Sequence, residues 1–369
     1  MHERALQLTE GLEPTPNNLL VVAAQVGASE ARWAFSQWGL RKRAAAKFSR
    51  ANEMLFTKEA LEQATSEPIA RYHASRFPSG QLVVDATCGI GGDLIALAER
   101  GPAIGYELDP ERAQCARHNL RAYGLEAEVF VGDGLEASRG APYVYCDPAR
   151  RSDGRRVDDP NDYQPPLNQI VNALKSSLLV GAKLSPMLPD TLLESMGGDL
   201  EFISFQGECR EALVWLGTGA GSSEAAVQIE SGCRLAPAGP PPILSKAERW
   251  IFEADPAAIR VHGLGTLCAM LGLTALGDSN GYLTGPDSVS NPWLKAYEVQ
   301  REIPFDRKRL RLELKELALD PVDVKVRGRR LDANTIANEM RRPGDKPCAV
   351  ILYPSNGKIR SAITLSNSP

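Results

Sequence analysis

The stretch that decides the fold is residues 81–110, QLVVDATCGIGGDLIALAERGPAIGYELDP. A short apolar run at 82–84 predicts a buried strand that leads into a glycine-rich turn. Apolar residues at helical spacing follow, and residues 103–106 predict a second buried strand. The second strand ends on Glu107, 22 residues after Asp85. This order of strand, glycine turn, helix and acid-tipped strand is typical of the nucleoside-binding half of a doubly wound α/β sheet.

Two acidic side chains flank the glycine turn and indicate which nucleoside it binds. Asp85 precedes the glycines and Asp93 follows them. These carboxylates would repel the pyrophosphate of a dinucleotide, which binds to bare backbone N–H groups at a helix N-terminus. They favour a ligand with a cationic end, and S-adenosylmethionine carries an ammonium and a sulfonium. Glu107 would then accept hydrogen bonds from the ribose hydroxyls.

The motif DATCGIGGD at 85–93 resembles the first motifs of class I S-adenosylmethionine-dependent methyltransferases. Two later stretches fit the same order: VFVGDG at 129–134 resembles the third strand, and YVYCDPAR at 143–150 resembles the fourth strand and the catalytic loop. The resemblance implies a Rossmann-like α/β methyltransferase sheet with S-adenosylmethionine as the cofactor. The implied cofactor-binding residues are Asp85, Thr87, Gly89, Gly91, Glu107, Leu108, Asp133 and Gly134.

The predicted catalytic residues are Asp147 and Pro148, because ligands of open α/β sheets bind beyond the carboxyl ends of the strands. The carboxylate of Asp147 and the carbonyl of Pro148 can accept hydrogen bonds from an exocyclic amine and orient its lone pair. The loop resembles the D/N-P-P-Y/F/W motif of amino-group methyltransferases and departs from it at Ala149 and Arg150. Methylation of a pyrimidine at carbon 5 needs a cysteine nucleophile, and Cys146 is expected to point into the core instead.

Four arginines follow within a short span of the predicted catalytic loop. Guanidinium groups match the geometry of phosphate, so these residues predict a site for a phosphate-bearing acceptor. The alternative is that they form salt bridges with the aspartates of the same segment, Asp153, Asp158 and Asp159. The candidate substrate-binding residues are Arg150, Arg151, Arg155 and Arg156.

The composition is that of an ordinary soluble protein of two or three domains, with 369 residues of which 43% are hydrophobic and 24% charged. The sequence shows no apolar stretch of membrane-spanning length and no leader, so a cytoplasmic protein without membrane contact is expected. The seven cysteines and four histidines are scattered without a C-x-x-C pair. Neither a metal site nor a disulfide framework is therefore expected.

The formal net charge of −4 is unevenly distributed along the chain. Residues 295–369 contain 16 Lys or Arg and 10 Asp or Glu, so this tail carries +6 and the remainder −10. A basic tail predicts contact with nucleic acid, although a surplus of this size is also common on a solvated surface.

Four parts are expected along the chain. Residues 1–79 predict an N-terminal helical region, and residues 80–235 the methyltransferase domain. The proline-rich sequence APAGPPP ends at residue 242 and marks a boundary. Residues 243–292 resemble a ferredoxin-like segment, and residues 293–369 resemble a THUMP-like domain.

Several local features support this division. Residues 55–74, with Thr57 as a helix cap, resemble the lead-in helix of trimethylguanosine-synthase-like enzymes. The superfamily resemblance implies that a hairpin at 200–217 closes the methyltransferase sheet at one edge. The THUMP-like resemblance is carried by KVRGRRLDANTIANEM at 325–340 and CAVILY at 348–353.

These observations predict an S-adenosylmethionine-dependent methyltransferase that modifies a base nitrogen in tRNA or rRNA. RNA is the expected partner, because the resemblance to THUMP domains implies RNA binding. Two alternatives stay open: methylation of a protein or of a phosphorylated small molecule, and an RNA-binding assembly factor without catalysis. Asp85 and Glu107 argue against the assembly factor, because a site without catalysis gains nothing from two carboxylates beside the turn.

Overall fold

A computed structural model describes residues 2–149, 151–152, 155–156, 159–278, 281–327 and 331–366. The chain divides into two compact units. The first comprises the chain up to Asp199 together with Leu213–Ser222, and the second comprises Leu200–Ala212 together with the chain from Ser223 onward.

The first unit begins with an N-terminal helical region, as the sequence predicts. Its helices are α1 (His2–Thr9), α2 (Pro16–Val26), α3 (Ala28–Ala44), α4 (Lys58–Gln63) and α5 (Glu67–Ser75). Thr57 caps α4, since its Oγ1 accepts a hydrogen bond from the N–H of Ala60 at 3.2 Å. The predicted lead-in is two helices rather than one, because Pro68 starts a new helix at α5.

Alternating strands and helices follow in the first unit. They are β1 (Val83–Asp85), α6 (Gly92–Arg100), β2 (Ala103–Glu107), α7 (Pro110–Ala122), β3 (Glu128–Val131), α8 (Gly134–Ala137), β4 (Tyr143–Cys146), β5 (Arg151–Ser152), β6 (Arg155–Arg156), α9 (Leu167–Leu174), β7 (Leu179–Leu184) and α10 (Asp190–Ser195).

The main sheet of this unit is parallel and doubly wound, which confirms the predicted fold class. Its strands lie in the order β3-β2-β1-β4-β7, and every neighbouring pair is parallel. Its core combines strand residues such as Val144 and Val180 with Ile170 and Leu174 of α9. The strand order reverses between β1 and β4, and this switch point is where open α/β sheets bind ligands.

The hairpin that follows contributes to both units. It consists of β8 (Asp199–Phe205) and β9 (Glu208–Leu216), and β10 (Glu224–Gln228) and β11 (Arg234–Leu235) come next. β8 pairs in parallel with β10, and β10 pairs antiparallel with β11. The prediction that this hairpin forms the edge of the sheet is therefore wrong, because β10 satisfies the outer hydrogen bonds of β8.

In the second unit, the described residues form an eight-stranded sheet and four helices. Its remaining elements are β12 (Ile243–Leu244), β13 (Trp250–Ala254), α11 (Pro256–Arg260), α12 (Leu264–Leu271), β14 (Thr274–Leu276), β15 (Tyr282–Gly285), β16 (Leu294–Pro304), α13 (Arg307–Glu316), β17 (Leu319–Val326), α14 (Ala333–Met340), β18 (Lys346–Ser355) and β19 (Lys358–Ser366). The strand order is β12-β14-β15-β13-β16-β19-β18-β17.

Residues 243–292, predicted to be a ferredoxin-like segment, share this sheet with residues 293–369, predicted to be a THUMP-like domain. β13 of the first segment pairs antiparallel with β16 of the second, from Trp250 opposite Glu298 to Ala254 opposite Leu294. One hydrophobic cluster also draws on both segments, with Tyr282 packed among residues of β16, β18 and β19. The proline-rich stretch at 236–242 lies inside the second unit, so the two compact units do not separate there. The four-part division stays a prediction.

Among the helices that the structure describes, none is long and apolar enough to span a membrane.

Candidate active site

A cavity of about 610 Å³ opens within the first unit at the carboxyl ends of β1, β2, β3 and β4. Its volume is in the range typical of small-molecule sites. The strand order brings together residues that are far apart in the sequence. The predicted site residues that line the cavity are Thr87, Gly89, Glu107, Leu108, Asp133, Gly134, Asp147 and Pro148.

Two predicted cofactor residues do not line the cavity. Asp85 is only 1% exposed, and its Oδ1 accepts the N–H of Thr87 at 3.1 Å. Its Oδ2 has no hydrogen-bond partner among the described residues. Gly91 has a φ of 91° at the start of α6, and a Cβ there would lie 3.5 Å from Ala116. Gly91 therefore shapes the turn and its packing on α7.

Glu107 is fixed at the tip of β2 by two backbone donors. The N–H of Gly89 donates to Oε2 at 2.9 Å, and the N–H of Asp109 donates to Oε1 at 2.9 Å. Each carboxylate oxygen can accept more than one hydrogen bond, so both keep capacity for hydroxyl groups of a ligand. The carboxylate also ties the glycine turn to the start of α7.

The Asp133-Gly134 pair lies beside the cavity at the end of β3. Asp133 Oδ1 caps α8 by accepting the N–H of Leu135 at 3.0 Å. A Cβ at Gly134 would lie 2.1 Å from the carbonyl oxygen of Ala86. Only glycine fits this close approach between the ends of β1 and β3.

Asp147 is held at two points. Its backbone N–H donates to Thr87 Oγ1 at 2.6 Å, and its Oδ2 lies 2.5 Å from Nζ of Lys183 on β7. Lys183 Nζ also donates to Thr65 Oγ1 at 3.0 Å. Lys183 is 6% exposed, so the buried ammonium is paired with a carboxylate that is only partly buried.

A second buried polar group adjoins this pair. His73 Nδ1 lies 2.8 Å from Asp93 Oδ1 and 2.9 Å from the hydroxyl of Tyr145. Burial by itself would raise the pKa of Asp93, but the hydrogen bond and charge of His73, together with Lys183, hold that pKa below its ordinary value. Asp93 is therefore the carboxylate beside the glycine turn that is charged.

Asp85 behaves in the opposite way. Burial, with a smaller contribution from the negative charge of Asp93, raises the pKa of Asp85 well above its ordinary value. The sequence argument placed a charge at both acids of the turn. The structure lowers the pKa of Asp93, which lines the cavity, and raises the pKa of the buried Asp85.

The cysteines near the cavity are not poised for nucleophilic attack. Burial raises the pKa of the Cys146 thiol and raises that of the Cys88 thiol well above its ordinary value. Cys146 is fully buried, as the sequence argument expected. Across the described ranges, no group of three or more His, Cys, Asp or Glu residues could hold a metal ion.

The candidate phosphate-binding arginines follow the catalytic loop. Arg150 lies outside the described residues. The backbones of Arg151 and Arg156 pair across the β5-β6 hairpin, and Arg155 lies on the same hairpin. Their contact with phosphate stays a prediction.

Sequence reasoning missed three residues of the site: Lys183, Thr65 and His73. A signal for Lys183 was present, because a lysine within the apolar strand LVGAKL must find a buried partner. Thr65 and His73 gave no comparable signal, since a threonine in a loop and a histidine in a helix are ordinary.

Comparison with known proteins agrees with this geometry. A family model described as RNA cap guanine-N2 methyltransferase matches residues 80–143, and one described as THUMP domain-like matches residues 294–365. An S-adenosylmethionine-dependent methyltransferase of Mycobacterium tuberculosis strain H37Rv is 35% identical over 334 residues, covering 87% of this chain and 92% of the relative. The chain belongs to the S-adenosylmethionine-dependent methyltransferases.

The chain is also similar to a known enzyme over a short segment and to a solved structure over its whole length. Trimethylguanosine synthase of Schizosaccharomyces pombe is 41% identical over 71 residues, which is 18% of this chain and 30% of that enzyme. A crystal structure from Porphyromonas gingivalis W83, described as a methyltransferase, has a TM-score of 0.79 and 21% identity, and covers 99% of both chains. That similarity shows a common fold.

S-adenosylmethionine is the cofactor of this methyltransferase, and the residues of the cavity fit it. A Cβ at Gly89 would meet no heavy atom within 4 Å, so the turn leaves open space beside the backbone. Glu107 lines the cavity, and both of its carboxylate oxygens keep capacity for hydroxyl groups of a ligand. We propose that Glu107 binds the ribose hydroxyls, and that Asp93 supplies the negative charge that the cationic end of the cofactor requires.

Proposed function

We propose that this methyltransferase acts on RNA and methylates a base nitrogen of tRNA or rRNA. The observation that carries the proposal is the carboxylate of Asp147, which lines the cavity next to Pro148 and is held in one orientation by Lys183. An oriented carboxylate beside a backbone carbonyl is suited to accept the two N–H groups of an exocyclic amine.

Asp147 would perform two tasks in this reaction. One oxygen accepts an N–H of the amine, which fixes the direction of the nitrogen lone pair. The negative charge then stabilises the positive charge that develops on nitrogen as the new N–C bond forms. When bound, S-adenosylmethionine supplies the methyl group. The methylated nitrogen then loses one proton, which Asp147 can accept and release to water.

RNA is supported as the acceptor by the two family models. One is described as RNA cap guanine-N2 methyltransferase and covers the cofactor half of the first unit, and the other is described as THUMP domain-like and covers β16 to β19. The positive charge of residues 295–369 points the same way, because phosphate contacts are made by Lys and Arg.

The test is transfer of labelled methyl groups to RNA, protein and small molecules, each fractionated from a strain that lacks this protein. The label is expected in RNA. Asp147→Ala should lose the transfer and keep its affinity for S-adenosylmethionine, whereas Glu107→Ala should lose that affinity by about 10-fold or more, because hydrogen bonds to a charged group are lost.

Glu111→Ala is the matched control, because Glu111 is an exposed acid in the first turn of α7. It should keep both affinity and transfer. Label in the protein or small-molecule fraction would reject RNA as the acceptor. Cofactor binding without transfer to any fraction would favour the assembly-factor alternative.

A further inference from the structure

Lys183 is a buried cation that contacts the proposed catalytic aspartate. It lies in β7, whose other residues are apolar or glycine, and it is 6% exposed. A buried ammonium is costly unless it is paired and hydrogen-bonded. Here it contacts Asp147 Oδ2 at 2.5 Å and Thr65 Oγ1 at 3.0 Å, and both partners line the cavity.

Two carboxylates interact with this ammonium. Asp147 forms an ion pair with Lys183, and the carboxylate of Asp93 also interacts with Lys183 electrostatically. Asp93 is itself held by His73 at 2.8 Å. Lys183 thus neutralises the carboxylate at the acceptor end of the cavity and contributes to neutralising the one beside the glycine turn.

The contacts of Asp147 leave it little rotational freedom. The Thr87 hydroxyl fixes the backbone of Asp147, and Lys183 fixes one oxygen of its side chain. An aspartate side chain has only two torsions, so these contacts define where the second oxygen lies. A displacement of a catalytic group by about 1 Å can cost about 10²-fold in rate.

We propose that Lys183 is the positioning residue for methyl transfer in this enzyme. Its ammonium holds Oδ2 of Asp147 and keeps the carboxylate charged, so that Oδ1 accepts the N–H of the acceptor. This inference rests on the proposed role of Asp147, and it adds a residue to which no sequence motif of the chain points.

The first measurement needs no acceptor. In protein labelled with carbon-13 at aspartate carboxyl groups, the Asp147 resonance is assigned by its loss in Asp147→Asn and followed through a pH titration. In Lys183→Met its midpoint should move to higher pH by about one to three pH units, because the carboxylate loses the adjacent positive charge. Lys183→Arg should titrate close to the unaltered protein.

The surroundings of Asp147 allow this titration to be interpreted. Among the described residues, Lys183 from β7, Asp85 from β1 and Cys146 from β4 interact with Asp147. Asp93 from α6 and Asp133 at the end of β3 line the same cavity, and His73 from α5 contacts Asp93. Lys183 is a basic group that contacts Asp147 within the described part of the chain. The same titration in Lys175→Met, which alters an exposed lysine of the same unit, should match the unaltered protein.

The second measurement is kinetic. Lys183→Met should lower kcat for RNA by about 10²-fold and leave the affinity for S-adenosylmethionine within about threefold, while Lys183→Arg restores most of the lost kcat. If Lys183→Met does not fold, Lys183→Gln replaces it, because the amide keeps N–H donors without the charge and should still move the titration upward.

The two proposals fail in different ways. If the unaltered enzyme methylates no RNA, the proposed function is wrong, and the carboxyl titration still tests the link between Lys183 and Asp147. If the unaltered enzyme is active and the Lys183→Met or Lys183→Gln protein keeps its kcat or its Asp147 titration midpoint, the positioning role is overturned.

Discussion

The carboxyl group of Asp85 is buried away from water. Among the described residues, its Oδ2 has no hydrogen-bond partner. Burial raises its pKa well above the value of about 3.9 that it has in an unfolded chain. The folded protein thus keeps the proton that the unfolded chain releases above about pH 4. The contribution of Asp85 to stability is therefore full at low pH and is lost as pH rises toward the folded pKa.

Asp85→Asn should remove this dependence. The amide keeps an oxygen for the N–H of Thr87 and does not ionise, so the variant should gain unfolding free energy over the unaltered protein as pH rises above about 4. The gain is about 1.4 kcal/mol for each pH unit between the unfolded and folded pKa values. Urea denaturation without cofactor at pH 5 and pH 8 measures it. An equal difference at both pH values would show that Asp85 is ionised in the fold.

At the residue scale, the sequence predicts groups that follow strand ends and misses groups that pair across elements. Glu107, Asp133 and Asp147 were predictable because each ends a strand of a known order or lies within about two residues of its end. For Lys183, burial was predictable from its apolar strand, but pairing with Asp147 was not, because that pairing depends on β7 lying beside β4. The charge state of Asp85 was also unpredictable, since it depends on burial that only the packed turn creates.

Single glycines decide how closely the elements of the first unit approach one another. A Cβ at Gly134 would lie 2.1 Å from the Ala86 carbonyl oxygen and 2.6 Å from Cβ of Tyr106. Gly134→Ala should therefore lower the free energy of unfolding by about 3 kcal/mol and weaken binding of S-adenosylmethionine, because α8 must move away from β1. Thermal and urea unfolding with and without the cofactor measure both effects.

Gly39→Ala provides the matched control. Gly39 is exposed within α3, and a Cβ there meets nothing within 4 Å. This variant should raise the free energy of unfolding by about 1 kcal/mol, since alanine is the better helix former. If Gly134→Ala is as stable as the unaltered protein, the close approach of Gly134 to the Ala86 carbonyl oxygen is contradicted.

At the element scale, the strands and helices that build the cofactor half were predictable because the motif fixes their order. The role of the hairpin was not. Its sequence predicts the two neighbouring strands β8 and β9, but nothing in it shows that β10 pairs with the outer side of β8. Such pairing joins residues more than 20 positions apart, and β-pairing depends on tertiary context more than on local sequence.

At the scale of the whole molecule, the shared sheet determines how RNA binding can be tested. Deleting residues 295–369 would remove β16 to β19, with which β13 and Tyr282 pack. The remaining strands would lose their core. RNA binding by the basic tail is therefore better tested by substituting surface residues. The residues to choose are cations other than those that form the ion pairs described for the second unit.

At least eight of the 16 cations in this tail are engaged by acids. They are Arg301, Arg307, Arg309, Lys325, Arg327, Arg341, Arg342 and Arg360. Composition alone cannot reveal these pairs, because several join residues that only the fold brings together. The exposed face of α13 carries Lys308 and Lys315, seven residues apart and thus on one side of the helix, while Leu310 and Leu314 face the core.

The double variant Lys308→Gln, Lys315→Gln should weaken RNA binding most at low salt. Each lost phosphate contact should reduce the slope of log affinity against log salt concentration by about 0.7 to 0.9. The pair Lys58→Gln, Lys175→Gln removes the same charge from exposed positions of the first unit and should leave the slope within error. The salt slopes of the two double variants are compared by measuring their binding to total tRNA between roughly 50 and 200 mM salt, where phosphate contacts are sensitive to salt. If both variants show the same reduced slope, RNA binding depends on the net charge of the protein and not on the position of the lysines. If the slope of the α13 variant is unaltered, the RNA-binding surface lies elsewhere.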